Sequence, residues 1–505
     1  MTNNLNLLTI SEFIITQDST LDREIVTLID DFTGELVNFK NDNTIPTNGK
    51  YLYFTKSNSD NSIAKYRRMI TGDVSVRISG AVGDGNTDDY SKIQKLIDEM
   101  DAGHILSLDE RRYMLYSPLQ INKAIKIKGS STIGNKGYNN ILPSYILTLN
   151  NNGIIINSSG VVLDGFAIGS GNSYVNEPNT NIGIKVNGTN ITEGELSSII
   201  IRDIFINGYE TGLEISYMWS SQIQSLKILN CKTGILINGR SVNNEISNNT
   251  SISLADNVKI PNSKGIWFNN DGIVKEGWRI IDTLINNYYD AIYAEKTSHV
   301  NIMNSMIDFC HHIGIVLLDD CYNWNINSNY IALDEPGYGL YLANNTVNPL
   351  AVRGNKIVDN DILSYNGVID NEISIGINIV GEGSLYDDVR GNSVKNFKVY
   401  DIKANEGLKT TISNNKCLSD VEFNIISNFI TNDNLGIVYY QNVNDFFNLG
   451  KIKVSYAASY PTTSSSEWRR GDIILNTEPS VTNPIGWVNT TDGINTWKPF
   501  GVINN

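Results

Sequence analysis

Gly80-Ala81-Val82-Gly83-Asp84-Gly85-Asn86-Thr87-Asp88-Asp89 is the stretch whose reading decides the fold. Gly80, Gly83 and Gly85 supply backbone conformations closed to other residues. Asp88 or Asp89 is placed to cap a following helix. Ile93, Leu96, Ile97 and Met100 then recur at helical spacing and make one apolar face. A glycine-rich turn thus leads into a short amphipathic helix that must lie on something. Neither GxxxxGK[ST] nor GxGxxG is present, so a phosphate-binding loop is set aside. Asp84, Asp88 and Asp89 are read as structural.

Downstream of the helix come short apolar bursts punctuated by Gly and Asn, at Ile125–Gly129, Gly153–Asn157 and Val161–Gly165. A small residue then precedes an apolar burst at Gly183, Gly212, Gly234, Gly265, Ala291, Gly314, Gly339 and Gly376. Successive spacings are 29, 22, 31, 26, 23, 25 and 37 residues. A second burst recurs at Ile223, Ile280, Ile302 and Ile326. Two short strands per repeat of about 25 residues fit one coil of a parallel β-helix. Such a coil cannot bury its own apolar side chains and needs neighbours above and below. The spacing of 37 predicts a loop insertion over 344–373, and the repeat is expected to fade from about Leu408. Leucine-rich repeats and propellers need patterns that are not seen here.

The turn and helix resemble the first-coil cap of the pectate-lyase superfamily, as found in phage tailspikes. The resemblance implies an all-β chain built on a right-handed single-stranded parallel β-helix of the pectin-lyase-like kind. It further implies a homotrimer on a virion tail, joined to the tail or baseplate through the N-terminal region. The implied partner is a bacterial capsular polysaccharide or O-antigen. Four segments are expected: an attachment module over 1–75, the cap and first coils over 76–150, the β-helix over 151–450, and a C-terminal β module over 451–505. In the last, Ser455–Glu467 is Ser/Thr-rich and Asp492-Gly493 is a hairpin signal. The module is similar to those behind phage β-helices, where it caps the coils and clamps the trimer.

The bulk numbers narrow the partners. The chain has 505 residues and a net charge of −15, which disfavours nucleic acid, because phosphate binding needs a basic surface. Cys231, Cys310, Cys321 and Cys417 lack CxxC spacing, so free, buried thiols are expected, with no metal and no cofactor. No basic, apolar leader opens the sequence, and no run of about eighteen apolar residues occurs. Neither secretion by signal peptide nor membrane insertion is expected.

The segment from Gly265 to Tyr341 is richest in aromatic residues and carboxylates. Glycoside hydrolysis needs two carboxyl groups, one to protonate the leaving oxygen and one to attack or activate water. Alignment on the Gly-Ile mark sets Glu295 and Asp319 on neighbouring strand ends. Alignment on Ile280 and Ile302 sets Asp282 and Asp308 on one face of adjacent strands. Asp319 and Asp320 end the apolar run Ile313–Leu318, a place that suits a general acid. Trp267, Arg279, Tyr293, His312, Trp324 and Tyr341 are the expected sugar contacts. Each acid, taken singly, also reads as a solvated turn residue. A lyase would need a base and a neutralising cation, and His299, His311, His312, Lys296 and Arg279 lie in the same region. The calcium-binding acidic cluster with arginine of pectate lyases has no counterpart beyond Asp387-Asp388-Val389-Arg390. The expected activity is therefore a depolymerase, a hydrolase ahead of a lyase, with a non-catalytic receptor-binding fibre as the remaining alternative.

Overall fold

The computed structural model describes residues 8–15, 25–44, 49–58, 62–130, 144–171, 179–189, 194–255, 258–343, 353–365, 374–380, 387–404 and 410–419. Beyond these it describes 425–426, 438–439, 447–449, 452–457, 473–476, 479–480, 483–490 and 496–501. The chain falls into two compact units, residues 1–284 and 285–505. The Asp492-Gly493 signal and most of Ser455–Glu467 lie outside the described residues.

The first unit opens with a four-stranded antiparallel sheet, Ile25–Ile29, Leu36–Asn41, Tyr53–Ser57 and Ile63–Arg68, packed with the helix Ile10–Ile15. Next comes the cap helix, Tyr90–Glu99. Its apolar face is buried as the periodicity predicts, with Ile93, Leu96, Ile97 and Met100 at most 1% exposed. The acids, however, do not cap it through Asp89. That buried carboxylate accepts from the amides of Val82 and Gly83, 2.7 and 2.9 Å away, and so closes the glycine turn. Asp88 accepts from the Tyr90 amide at the helix start. Glu99, also buried, accepts from the amides of Lys50, Tyr51 and Leu52 and ties the N-terminal sheet to the helix.

Both units then build parallel β-helix coils. Each full coil has three strands rather than the expected two, one in each of three parallel sheets. In the first unit Ile223, Ile246 and Ile280 stack in the first sheet, Ile206, Ile228 and Ile252 in the second, and Ile184, Leu213, Ile235 and Ile266 in the third. The second unit repeats this with Ile302, Ile326 and Ile357, then Ile307, Ile331 and Ile362, then Ile292, Ile315, Leu340 and Ile377. These side chains are at most 2% exposed and form the core. At about 1.5–3 kcal/mol for a fully buried aliphatic side chain, such columns dominate stability.

First and second strands of a coil are joined by a tight corner. Asp203, Ser225, Asp282, Asn304, Ser328 and Asp359 sit there with φ between 49° and 57°, a left-handed conformation that Asn and Asp tolerate. The next residue is buried, apolar at Ile204 and Leu226 and polar at Thr283, Ser305, Asn329 and Asn360. In the second unit Asn329, Asn360, Asn392 and Asn415 make a buried ladder there. Each amide N–H and side-chain NH₂ of one coil donates to the side-chain carbonyl of the next.

The segment with the spacing of 37 is not a single insertion. Lys356–Val358 and Asp361–Ser364 within it are ordinary first and second strands, and 344–352 and 366–373 lie outside the described residues. Nor does the repeat end at Leu408, since strands Thr411–Ser413, Lys416–Cys417, Ile425–Ile426 and Val438–Tyr439 continue the three sheets. A five-stranded sheet, Phe447–Leu449, Ile452–Ala457, Ile473–Asn476, Gly486–Asn489 and Trp497–Phe500, closes the second unit. All four cysteines are free and buried. No helix among the described residues is long and apolar enough to cross a membrane.

Candidate active site

The third sheet of the second unit carries a chemically rich outer face. Strands Asp290–Glu295, Ile313–Leu318 and Tyr338–Ala343 are in register there. Alternation slips at the small residue of the Gly-Ile mark. Gly314 faces inward beside Ile315, so Ile313, Val316 and Leu318 face outward. Three outward rows result. One holds Asp290, Ile313 and Tyr338; the next Tyr293, Val316 and Tyr341; the third Glu295, Leu318 and Ala343. Ile313, Val316, Leu318 and Ala343 form an apolar floor flanked by the half-buried rings of Tyr293, Tyr338 and Tyr341.

Carboxylates border this floor. Register places Glu295 against Leu318, so Asp319 follows one residue beyond on the neighbouring coil. There its carbonyl accepts from the Lys296 amide at 2.8 Å. The Tyr293 hydroxyl donates to Glu295 Oε1 at 2.9 Å. Burial first, then Glu295, Asp290 and Asp319, push the Tyr293 phenol well above its ordinary range. Of the three carboxylates only Glu295 bonds to the phenol, while Asp290 and Asp319 act on it through charge.

At the other end of the same strands, His312 Nδ1 lies 2.8 Å from Asp290 Oδ1 and the imidazole stacks on Tyr289 with centroids 4.4 Å apart. Its side chain is 38% exposed while Asp290 is buried. An imidazole held through Nδ1 presents its Nε2 outward, in the tautomer that its partner selects. His311 turns inward instead and is buried, with Nδ1 3.5 Å from Asp334 Oδ1.

Asp308 stands elsewhere, on the second sheet. It accepts from the Phe309 amide at 3.0 Å and from the Tyr365 hydroxyl at 3.2 Å, and Phe309 stacks on Tyr365. Burial holds its carboxyl above the usual range.

Two expectations are corrected. Asp282 and Asp308 do not share a strand face, because Asp282 is the left-handed corner residue after Arg279–Ile281, in the place held by Asp203 and Ser225 in other coils. Trp324 is fully buried and donates its indole N–H to the Thr297 carbonyl at 2.9 Å, so it cannot meet a sugar. Trp267 and Arg279 belong to the first unit with Asp282. Trp267 is half-buried on the outward row of the third sheet with Glu214 and Leu236, under the Lys264 ammonium at 4.6 Å. Arg279 pairs across the first sheet with Glu245 at 3.0 Å. Asp387-Asp388-Val389-Arg390 forms no cation cluster of the pectate-lyase kind. Asp387 is buried in a corner, Val389 faces the core, and Arg390 pairs with Asp388.

Sequence reading missed Asp290, Tyr289 and Tyr338 as site residues. Asp290 was visible as the acid before the Ala291 mark, where neighbouring coils carry Ile313 and Tyr338.

No protein-family model matches the chain. One curated relative, a probable glucan endo-1,3-beta-glucosidase of Arthroderma benhamiae, is 41% identical over 56 residues, 11% of this chain and 6% of that protein. Among solved structures, the enzymatically active domain of tailspike protein 2 from bacteriophage CBA120 is similar over 97% of this chain and 68% of that one, with TM-score 0.59 and 13% identity. The full-length tailspike gives TM-score 0.56 at 15% identity, with 80% of this chain spanning 55% of its length. The catalytic unit of a GH87 alpha-1,3-glucanase from Streptomyces thermodiastaticus is similar over 77% of this chain and 72% of its own, with TM-score 0.52 and 13% identity. At these identities the likeness establishes the shared fold, a parallel β-helix.

Proposed function

We propose that the chain is a phage tailspike that binds and depolymerises a bacterial surface polysaccharide by glycosidic hydrolysis. The observation that carries this reading is Glu295 held by the Tyr293 hydroxyl, with Asp319 one residue beyond its register partner on the next coil, beside an apolar floor flanked by Tyr338 and Tyr341. Aromatic faces and small apolar patches suit the hydrophobic faces of sugar rings, and the acids supply the two carboxyl roles. Neighbouring strands lie about 4.8 Å apart, and Glu295 and Asp319 sit on neighbouring strands one residue out of register, which supports a pair at the separation of roughly 5–9.5 Å that glycosidases use. Glu295, oriented by the Tyr293 hydroxyl, is assigned as nucleophile or base, and Asp319 as the acid. Asp308, on a different sheet, is outside this pair. The tailspike and glucanase likenesses support the same class of substrate. In this reading three chains associate, and the N-terminal sheet faces the virion.

A lyase is the second reading, favoured by His312. Its Nδ1 partner Asp290 and its stacking on Tyr289 hold Nε2 ready to take a proton from a sugar carbon.

The test is incubation with capsular polysaccharides from a strain panel, followed by size-exclusion chromatography and by absorbance at about 235 nm, where unsaturated uronates absorb. Chain shortening without that absorbance, lost by about a thousandfold in Glu295→Gln and in Asp319→Asn, is the expected outcome. Shortening with the absorbance, abolished in His312→Ala, would establish the lyase. Binding without shortening on every polymer would leave a receptor-binding fibre. Sedimentation at three times the chain mass is expected for the trimer, and a monomer would overturn it.

A further inference from the structure

The corner that precedes the third sheet in the second unit holds a group that neither reaction uses. His311 is about 6% exposed, and among the described residues neither of its ring nitrogens has a hydrogen-bond partner. A buried imidazole normally satisfies its donor and its acceptor, because leaving either unmade forfeits the full cost of desolvation. Its Nδ1 stands 3.5 Å from Asp334 Oδ1, too far for a good hydrogen bond. One ligand atom each from His311, Asp334 and Glu335 lie within 4.8 Å of one another. The two acids come from the equivalent corner one coil further on, where the Tyr338 amide donates to the His312 carbonyl.

We propose that His311, Asp334 and Glu335 form a binding site for a divalent transition-metal ion. An imidazole nitrogen with two carboxylate oxygens suits zinc, manganese or cobalt, whereas calcium takes six to eight oxygen ligands. Three protein ligands leave room for water to complete the coordination shell. A cation here would join two successive coils at the corner from which His312 projects. The ligands are separated by one coil, 23 residues, rather than by a short loop, so no metal spacing shows in the sequence. The proposal stands whether or not the chain cleaves glycans.

The full chain, stripped with a chelator and dialysed, is titrated with zinc, manganese(II), cobalt(II) and calcium by calorimetry, with cobalt followed also by visible absorption. The expected result is one equivalent of zinc or cobalt per chain and a rise in melting temperature on saturation. Affinity should fall more than about tenfold in Glu335→Gln, whose half-exposed side chain can change without loss of fold, and in His311→Gln. Asp320→Asn should leave the titration unchanged. Less than one equivalent, binding that both substitutions leave intact, or a site filled by calcium and not by the transition ions would each overturn the proposal. In those cases His311 is an ion-paired or hydrated core histidine.

Discussion

Asp387 occupies a buried corner before the first strand of its coil, with Asn355 on the preceding coil and Thr410 on the following one. Its Oδ1 accepts from the Asn355 amide and side-chain NH₂ at 2.8 and 3.1 Å, while Oδ2 is buried without a partner among the described residues. Burial raises its pKa from 3.8 to about 7, against the opposing effect of those two hydrogen bonds. The folded state thus holds a proton that the unfolded chain releases near pH 4. A raised carboxyl contributes its full stability below the unfolded value and loses it as pH rises toward the folded value. Wild-type stability should therefore fall between about pH 4 and pH 7 through this one group. Asp387→Asn gives the position the residue type of Asn355 on the preceding coil and removes the charge. It should flatten that part of the profile and gain about 4 kcal/mol at pH 8, with little gain at pH 4. Urea unfolding across the range checks this, and parallel profiles for the two proteins would refute it.

At the scale of the element, the Gly-Ile mark has a packing cause. A Cβ on Gly339 would meet the Gly376 carbonyl oxygen at 2.5 Å and Ile362 Cγ2 at 2.5 Å, and one on Gly314 would meet the Gly339 carbonyl at 2.5 Å. The backbone of one coil is seated on that of the next, and from Gly183 to Gly376 the mark is glycine or, at Ala291, a single methyl, with Asp401 at the equivalent position of the coil that follows. Gly339→Val should destabilise the protein by about 3 kcal/mol, within the range for overpacked cores, with Ile315→Val a milder comparison near 1 kcal/mol. Thermal unfolding distinguishes them. The same contact explains what was legible. The mark and the Ile302 row repeat once per coil, so two strands could be read from spacing. The second strand hid because it follows the first by only five residues, as Ile302 to Ile307 and Ile326 to Ile331, and the two merge into one apolar burst. A polar residue between them at a left-handed corner was the available signal. The site was less legible for a related reason. Which residues face outward depends on the slip in alternation at the glycine, and that slip placed Tyr293 and Tyr341 outside but gave no warning that Trp324 turns into the core.

At the scale of the whole molecule, charge constrains the substrate encounter. Thirty-nine basic residues against fifty-four acidic leave a net charge of −15 per chain, which the proposed trimer would multiply. The outer face of the third sheet adds Asp290, Glu295 and Asp319 around Tyr293. A polyanionic capsule must approach against this field, whereas a neutral glucan meets no such barrier. Screening shortens the repulsion from a range of about 30 Å at 0.01 M salt to about 8 Å at 0.15 M. Depolymerisation of a uronate-containing polymer, measured as kcat/KM, should therefore rise severalfold over that interval. A neutral polymer should give a flat profile in the same assay. A fall with added salt on the acidic polymer would show that local cations such as Lys403, on the same outward row as Tyr341, outweigh the overall field and draw the chain in.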